Sequence, residues 1–321
     1  MTSFTPSVPP SGVWCPAITF FDRTSDEIDL DSQKKYFHYL STTGLAGLIV
    51  LGSNAEAFLL TREERITLIK TARSAIGSFP LMAGVGQHST AQVLRNIKDA
   101  QAAGADYVLV LPPAYFSTAT TRAVIIDFFS AVAEASPLPI VIYNFPGVCN
   151  GIDLDSDLIT QLALKYPQKI VGVKLTCGSV AKIVRLTARL SKEEFVAFGG
   201  QSDFIIGALA SGAAGCIAAF ANVAPKTIVR IYHLYRAGKH EQALRLHRQA
   251  ALAETAIKSG IAATKYAAAI TTAKEAGIED ALEKLSPRKP YQPLHQIAMA
   301  EITNTLAKLH DFEKKDLKHL D

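Results

Sequence analysis

The chain has 321 residues, 49% of them hydrophobic, and a formal net charge of +4 with acids and bases interspersed. That length can bury a large core, either as one barrel or as two smaller domains. The small charge, with no basic stripe carrying aromatics, argues against a nucleic-acid partner, and no apolar stretch nears the roughly 20 charge-free residues of a membrane span. The four cysteines, Cys15, Cys149, Cys177 and Cys216, lack the short paired spacings of zinc sites, and residues 1–10 lack a charged segment leading into an apolar one. Reduced thiols in a cytoplasmic protein are expected. A mitochondrial leader is arginine-rich and acid-poor, whereas the first arginine here is Arg23, directly after the first acid, Asp22, which weighs against an organellar address.

Along the chain, short apolar runs at 13–20, 47–51, 81–86, 107–111, 140–143, 170–175, 195–198 and 215–219 read as strands. Amphipathic stretches at 31–43, 61–76, 89–103, 120–135, 155–166, 179–190, 204–211 and 225–236 read as helices, the second opened by the capping box Thr61-Arg62-Glu63-Glu64. Eight strands alternating with helices predict an α/β fold, a (β/α)8 TIM barrel. An open doubly wound sheet is the alternative, but the first strand-to-helix turn lacks a Gly-x-Gly-x-x-Gly fingerprint. After Gly238 the alternation stops, and 239–258, 261–276 and 294–315 read as helices. The expected organisation is a catalytic barrel over 1–237 and a C-terminal helical extension, a layer on the barrel, over 238–321.

In the sixth strand, Ile170-Val171-Gly172-Val173-Lys174-Leu175, a lysine interrupts a run suited to burial on both faces. Desolvation favours the neutral amine, which can attack a ketone, so the pattern suggests a Schiff-base enzyme. Strict alternation would place Gly172, Lys174 and Thr176 towards the barrel interior, with Val171, Val173 and Leu175 towards the helices. Tyr143, ending the preceding strand, lies within reach of the lysine and suits the proton transfers of carbinolamine dehydration and carbon-carbon cleavage. Gly52-Ser53-Asn54-Ala55-Glu56, after the second strand, offers backbone N–H groups and small polar side chains that can hold a carboxylate. Thr176 and, after the seventh strand, Gly200, Gln201 and Ser202 can contact a substrate chain, and Ile217 on the eighth strand completes the substrate-binding candidates.

These residues, with Pro112-Pro113-Ala114-Tyr115, Tyr143-Asn144-Phe145-Pro146 and Ala221-Asn222-Val223-Ala224, resemble the dihydrodipicolinate synthase/N-acetylneuraminate lyase family of class I pyruvate aldolases over nearly the whole chain. The resemblance implies a Schiff base from Lys174 to the ketone carbon of pyruvate, Tyr143 as acid/base, and a carboxylate held at Ser53 and Asn54. It also implies that Tyr115 reaches a neighbouring subunit's site, hence a homodimer or homotetramer, and that no cofactor is needed. The synthase members carry an arginine where Val148 stands, which disfavours the synthase reaction. Ala55 replaces the loop's usual second glycine, so the turn must avoid a conformation costly for a residue with a Cβ. The substrate expected is a 2-oxo-3-deoxy sugar acid of the L-threo-hexulosonate type, cleaved to pyruvate and L-glyceraldehyde. The alternative is 4-hydroxy-2-oxoglutarate, giving pyruvate and glyoxylate, and the missing arginine leans towards the neutral aldehyde. A metal-dependent aldolase and a catalytically silent barrel that binds 2-oxo acids are the readings of other classes.

Overall fold

In the computed structural model, which describes residues 8–317, eight parallel strands close into a barrel in sequence order. They are β1 (Gly12–Pro16), β2 (Gly47–Val50), β3 (Leu81–Gly84), β4 (Tyr107–Val110), β5 (Ile140–Asn144), β6 (Ile170–Leu175), β7 (Val196–Gly199) and β8 (Gly215–Ile217). Gly12 of β1 pairs with Gly215 of β8, so the sheet has no edge and is not the open, doubly wound alternative. The crossovers are α1 (Leu30–Ser41), α2 (Arg62–Ile76), α3 (Thr90–Ala102), α4 (Arg122–Ala135), α5 (Ser156–Lys165), α6 (Val180–Arg189), α7 (Ile205–Ala210) and α8 (Pro225–Arg236). The capping box at the start of α2 is formed: the Thr61 hydroxyl accepts from the Glu64 backbone N–H, and Glu64 accepts from that of Thr61.

The first strand stops well short of the expected residue 20. Beyond Ala17 the backbone stays buried but bonds to side chains: Ile18 N–H donates to Asn222 Oδ1 and Phe20 N–H to Gln33 Oε1. Burial continues while the ladder ends, so the apolar run outlasts the strand. Asn222 also donates to the Pro16 carbonyl and accepts the Tyr36 hydroxyl on its own carbonyl, fastening the end of β8 to β1 and α1.

The barrel interior is filled by Trp14, Ile49, Met82, Tyr107, Val141 and Phe198, among others. Trp14 meets Tyr107 and Phe198 edge-on, at centroid distances of 6.2 and 6.4 Å. Gly47 makes this possible, because a Cβ there would lie 2.3 Å from the Trp14 ring. The C-terminal region forms α9 (His240–Glu254), α10 (Ile261–Ile270), α11 (Thr272–Glu275), α12 (Ala281–Lys284) and α13 (Gln296–Leu317). Leu246, Ala250, Ala267 and Leu306 from these helices belong to the same buried cluster as the outer faces of the strands. The single helix expected over 261–276 breaks at Thr271 (φ −120°, ψ −96°), where Thr272 instead donates its hydroxyl to the Asn222 carbonyl.

Candidate active site

Lys174 is inside the barrel, by a route that alternation did not anticipate. β5 and β6 pair Ile140 with Ile170 but Val141 with Gly172, a β-bulge that leaves Val171 as the extra residue. Val171 therefore points inward, joining Val141 and Tyr143, whereas Val173 and Leu175 pack on the outer layer. This corrects the expected outward placement of Val171. Had alternation run unbroken from Ile170, which packs outward, Lys174 would have faced the helices; the bulge turns it in. Gly172 suits the position, since a Cβ there would lie 2.7 Å from the Val196 carbonyl oxygen.

Tyr143 is the register partner of Lys174, and the ammonium nitrogen lies 4.1 Å from the centre of its ring. Both residues are buried, at 4% and 3% exposure. The Tyr143 ring stacks on Phe145 at 5.6 Å, and Asn144 between them is locked through its side chain to Asp153 and the Leu154 N–H. These contacts fix the strand end that aims Tyr143. Cys15 and Cys216 are fully buried free thiols pushed up by burial, Cys216 also by the Glu254 charge, with the nearby Lys174 charge opposing the rise in both.

The segment after β2 is a 3-10 turn over Ser53–Ala55, capped by Gly52 and Glu56. Its positive φ angles fall on Leu51 (60°) and Glu56 (56°), not on Ala55, so the missing glycine costs no strain there. The unusual conformation of Glu56 is held from outside the barrel. Its buried carboxylate pairs with the fully buried Lys265 of α10 and accepts the Arg288 N–H at 2.8 Å. Arg288 in turn forks onto Glu64 at 2.7 Å and reaches the Leu59 carbonyl. Burial drives the Lys265 amine down to about 8, opposed by Glu56. From below, the buried Arg65 donates to the Ala57 and Gly84 carbonyls, 3.0 Å each. Thr19 donates to the Ala55 carbonyl at 2.8 Å. The Ser53-Asn54 turn is therefore held from the barrel, from α2 and from the C-terminal layer at once.

Two spaces meet at Ser53. A cavity of about 650 Å³ at the mouth is lined by Ser53, Phe58, His88, Leu111, Val148 and Tyr291, among others. Below it, a void of about 20 Å³ is bordered by Gly52, Ser53, Arg65, Leu111 and Tyr143. Asn54 is half-buried beside Ser53. Val148, 48% exposed, ends a 3-10 turn after β5 and brings no cation to the cavity. Over the rim from β7, the Gly200 N–H donates to the Leu175 carbonyl. An added Cβ at Gly200 would lie 2.0 Å from Thr176 Oγ1. That hydroxyl is buried without a hydrogen-bond partner, a polar group facing this end of the barrel with capacity to spare. Gln201 accepts from the Lys258 ammonium at 2.6 Å. Ile217 is fully buried in the interior cluster with Trp14, Phe198 and Tyr143, beneath the rim.

Tyr115 stands apart from Lys174 within its own chain. It is 71% exposed in an aromatic patch with Phe116 (73%) and Phe58 (53%), bridged by His88. His88 Nδ1 accepts the Ala114 and Tyr115 N–H groups, so the neutral ring carries its proton on Nε2. Among the described residues no group of three or more His, Cys, Asp or Glu could hold a metal ion. Sequence reasoning had passed over Lys265, Arg288 and Arg65, whose partners are remote in the chain or are backbone carbonyls. The one local signal was charge at Lys265 within an otherwise apolar helix.

The model of the dihydrodipicolinate synthetase family matches residues 9–309. A Coccidioides immitis protein provisionally named a mitochondrial 4-hydroxy-2-oxoglutarate aldolase is 64% identical over 309 residues, 96% of this chain and 98% of that protein. The L-threo-3-deoxy-hexylosonate aldolase of Hypocrea jecorina is 37% identical over 95% of this chain and 98% of its own. A crystal structure of a dihydrodipicolinate synthase family protein from Coccidioides immitis superposes with a TM-score of 0.91 at 61% identity, covering 97% of this chain and 99% of that one. The mitochondrial name of so similar a relative overturns the expected cytoplasmic location. The stretch before Asp22 is free of acids and holds Thr2, Ser3, Thr5 and Ser7, features a mitochondrial leader shares, so the late Arg23 does not weigh against that address. Residues 1–7 lie outside the described structure.

Proposed function

Because the chain belongs to the dihydrodipicolinate synthetase family and is a class I pyruvate aldolase, we propose that its substrate is 4-hydroxy-2-oxoglutarate, cleaved to pyruvate and glyoxylate. The observation that carries this choice is 64% identity along almost the entire chain to a relative named for that reaction, against 37% to the hexylosonate aldolase. The expected preference for a sugar acid is thereby displaced by its alternative. Val148 leans towards a neutral aldehyde, and Lys258 beside the loop after β7 is itself ion-paired with Asp203, so the choice rests on the similarity to the relative. The relative's name supports a mitochondrial location as well.

In this reading the pyruvyl carboxylate rests on Ser53 and Asn54, and the neutral Lys174 amine adds to the C2 ketone. Tyr143 passes the protons that let water leave as the iminium forms. Tyr143 then takes the C4 hydroxyl proton; the C3–C4 bond breaks, its electron pair becoming the enamine with electron density drawn to the iminium nitrogen, and the C4 side leaves as glyoxylate. Protonation of C3 and hydrolysis release pyruvate and restore the amine. Tyr115 relays protons from a neighbouring subunit, which gives its exposed aromatic patch an occupant, a second copy of the chain. The barrel over 1–237 carries this chemistry and the layer over 238–321 supports it. Pyruvate release should be assayed from 4-hydroxy-2-oxoglutarate and from L-threo-3-deoxy-hexulosonate. The expected result is a kcat/KM at least about tenfold higher for the former, a discrimination of ~1.4 kcal/mol. A preference for the sugar acid would overturn the assignment.

A further inference from the structure

One buried carboxyl near the rim has no part in the reaction as described. Glu254, the last residue of α9, is 3% exposed. It accepts the Ser202 hydroxyl at 2.5 Å and the Ser202 N–H at 3.3 Å. His247, two turns earlier on the same face of α9, lies with Nε2 3.0 Å from the Ser202 carbonyl. The backbone and side chain of Ser202 are thus engaged by one helix of the C-terminal layer. The flanking residues are held from the same place, because Lys258, just past α9, bonds Gln201 on one side of Ser202 and Asp203 on the other. Gly200, next in the loop, closes over the unpartnered Thr176 hydroxyl, two residues from Lys174.

We propose that Glu254 is a positioning residue that presets the loop over 200–203 for the half of the substrate that leaves as the aldehyde. The inference rests on the aldolase reading. A loop so held keeps Gln201, and Gly200 beside Thr176, at fixed positions for the distal half, while the pyruvyl half depends on the separate Ser53 and Lys174 groups. The ordering of the loop is complete before binding, which lowers the entropic cost of recognising the distal end. Burial raises the Glu254 carboxyl to about 7, with Asp203 adding to the rise and the Ser202 bonds and Lys258 opposing it. Cys216 and His247 are the other titratable groups facing this corner, and His247 is held neutral-prone by burial. A carboxyl in either protonation state can bond Ser202, so a glutamine should replace it.

The test compares Glu254→Leu, Glu254→Gln and Ser202→Ala with the unaltered chain. Two measurements are made: cleavage of 4-hydroxy-2-oxoglutarate, and borohydride trapping of pyruvate alone, which carries no distal half. Loss of the buried acceptor in Glu254→Leu should raise KM about tenfold with kcat within about threefold and the trapping rate within about twofold. Glu254→Gln should stay within about threefold of the unaltered KM, and Ser202→Ala should reproduce the KM rise should the leucine variant fail to fold. An unmoved KM in the leucine or alanine variant, or trapping that falls in step with cleavage, overturns the inference and leaves the aldolase reading standing. An unaltered chain that traps no pyruvate overturns both.

Discussion

At the scale of single residues, the placement of Lys174 over the ring of Tyr143 constrains what each atom does. The Lys174 nitrogen lies over the ring face, at 4.1 Å, and the hydroxyl at the ring edge is the part available for proton transfer. The two contributions separate in Tyr143→Phe, which keeps the ring and removes the hydroxyl. Its kcat for cleavage should fall about 10²–10⁴-fold, the usual span for a general acid-base group, with little change in thermal stability. A variant within about threefold of the unaltered kcat would remove Tyr143 from the proton path. The lysine, the tyrosine and the Ser53-Asn54 turn could all be located from residue types and strand ends alone. The inward direction of Lys174 was expected, but the bulge that produces it, and that turns Val171 inward as well, was not. The bulge is a one-residue slip against β5, a property of two strands together and invisible in Ile170 to Leu175 read alone.

At the scale of elements, the turn over Ser53–Ala55 after β2 is held by three parts of the chain that no local pattern connects. Lys265 and Glu56 are 209 residues apart in sequence, and Arg288 and Glu56 are 232 apart. The apolar periodicity that marks the barrel helices carries no information about such pairs, which is why the C-terminal helices were legible as helices but not as a support for the site. The same limit explains β1, where burial persists to Phe21 although pairing ends near Ala17. The buried ion pair makes a sharp prediction. Lys265→Met leaves the Glu56 carboxylate buried with the Arg288 N–H as its remaining stated partner, at a cost of about 3–5 kcal/mol. Pairing it with Glu56→Leu should recover much of that loss while KM stays raised, because the left-handed turn at Glu56 is no longer held. Denaturant unfolding of the two variants measures this, and a loss below about 1 kcal/mol in the single variant would contradict it.

At the scale of the molecule, a closed barrel sets the lysine at its centre and a helical layer grips two rim loops, the one after β2 through Lys265 and Arg288 and the one after β7 through Glu254, His247 and Lys258. Under the proposed reading, the exposed aromatic group around Tyr115 is where a second copy of the chain would meet the site. Mixing subunits carrying Tyr115→Phe with subunits carrying Lys174→Ala should yield oligomers with activity that neither parent has, read as pyruvate release after exchange; a strictly monomeric chain in sedimentation would contradict the shared site. The claim on which everything else depends is the covalent one. Incubation with pyruvate and borohydride, followed by mass analysis of the peptides, should place a single reduced pyruvate adduct on Lys174 and none on Lys174→Ala. An unmodified Lys174 peptide, or an adduct on Lys265 instead, would contradict the account.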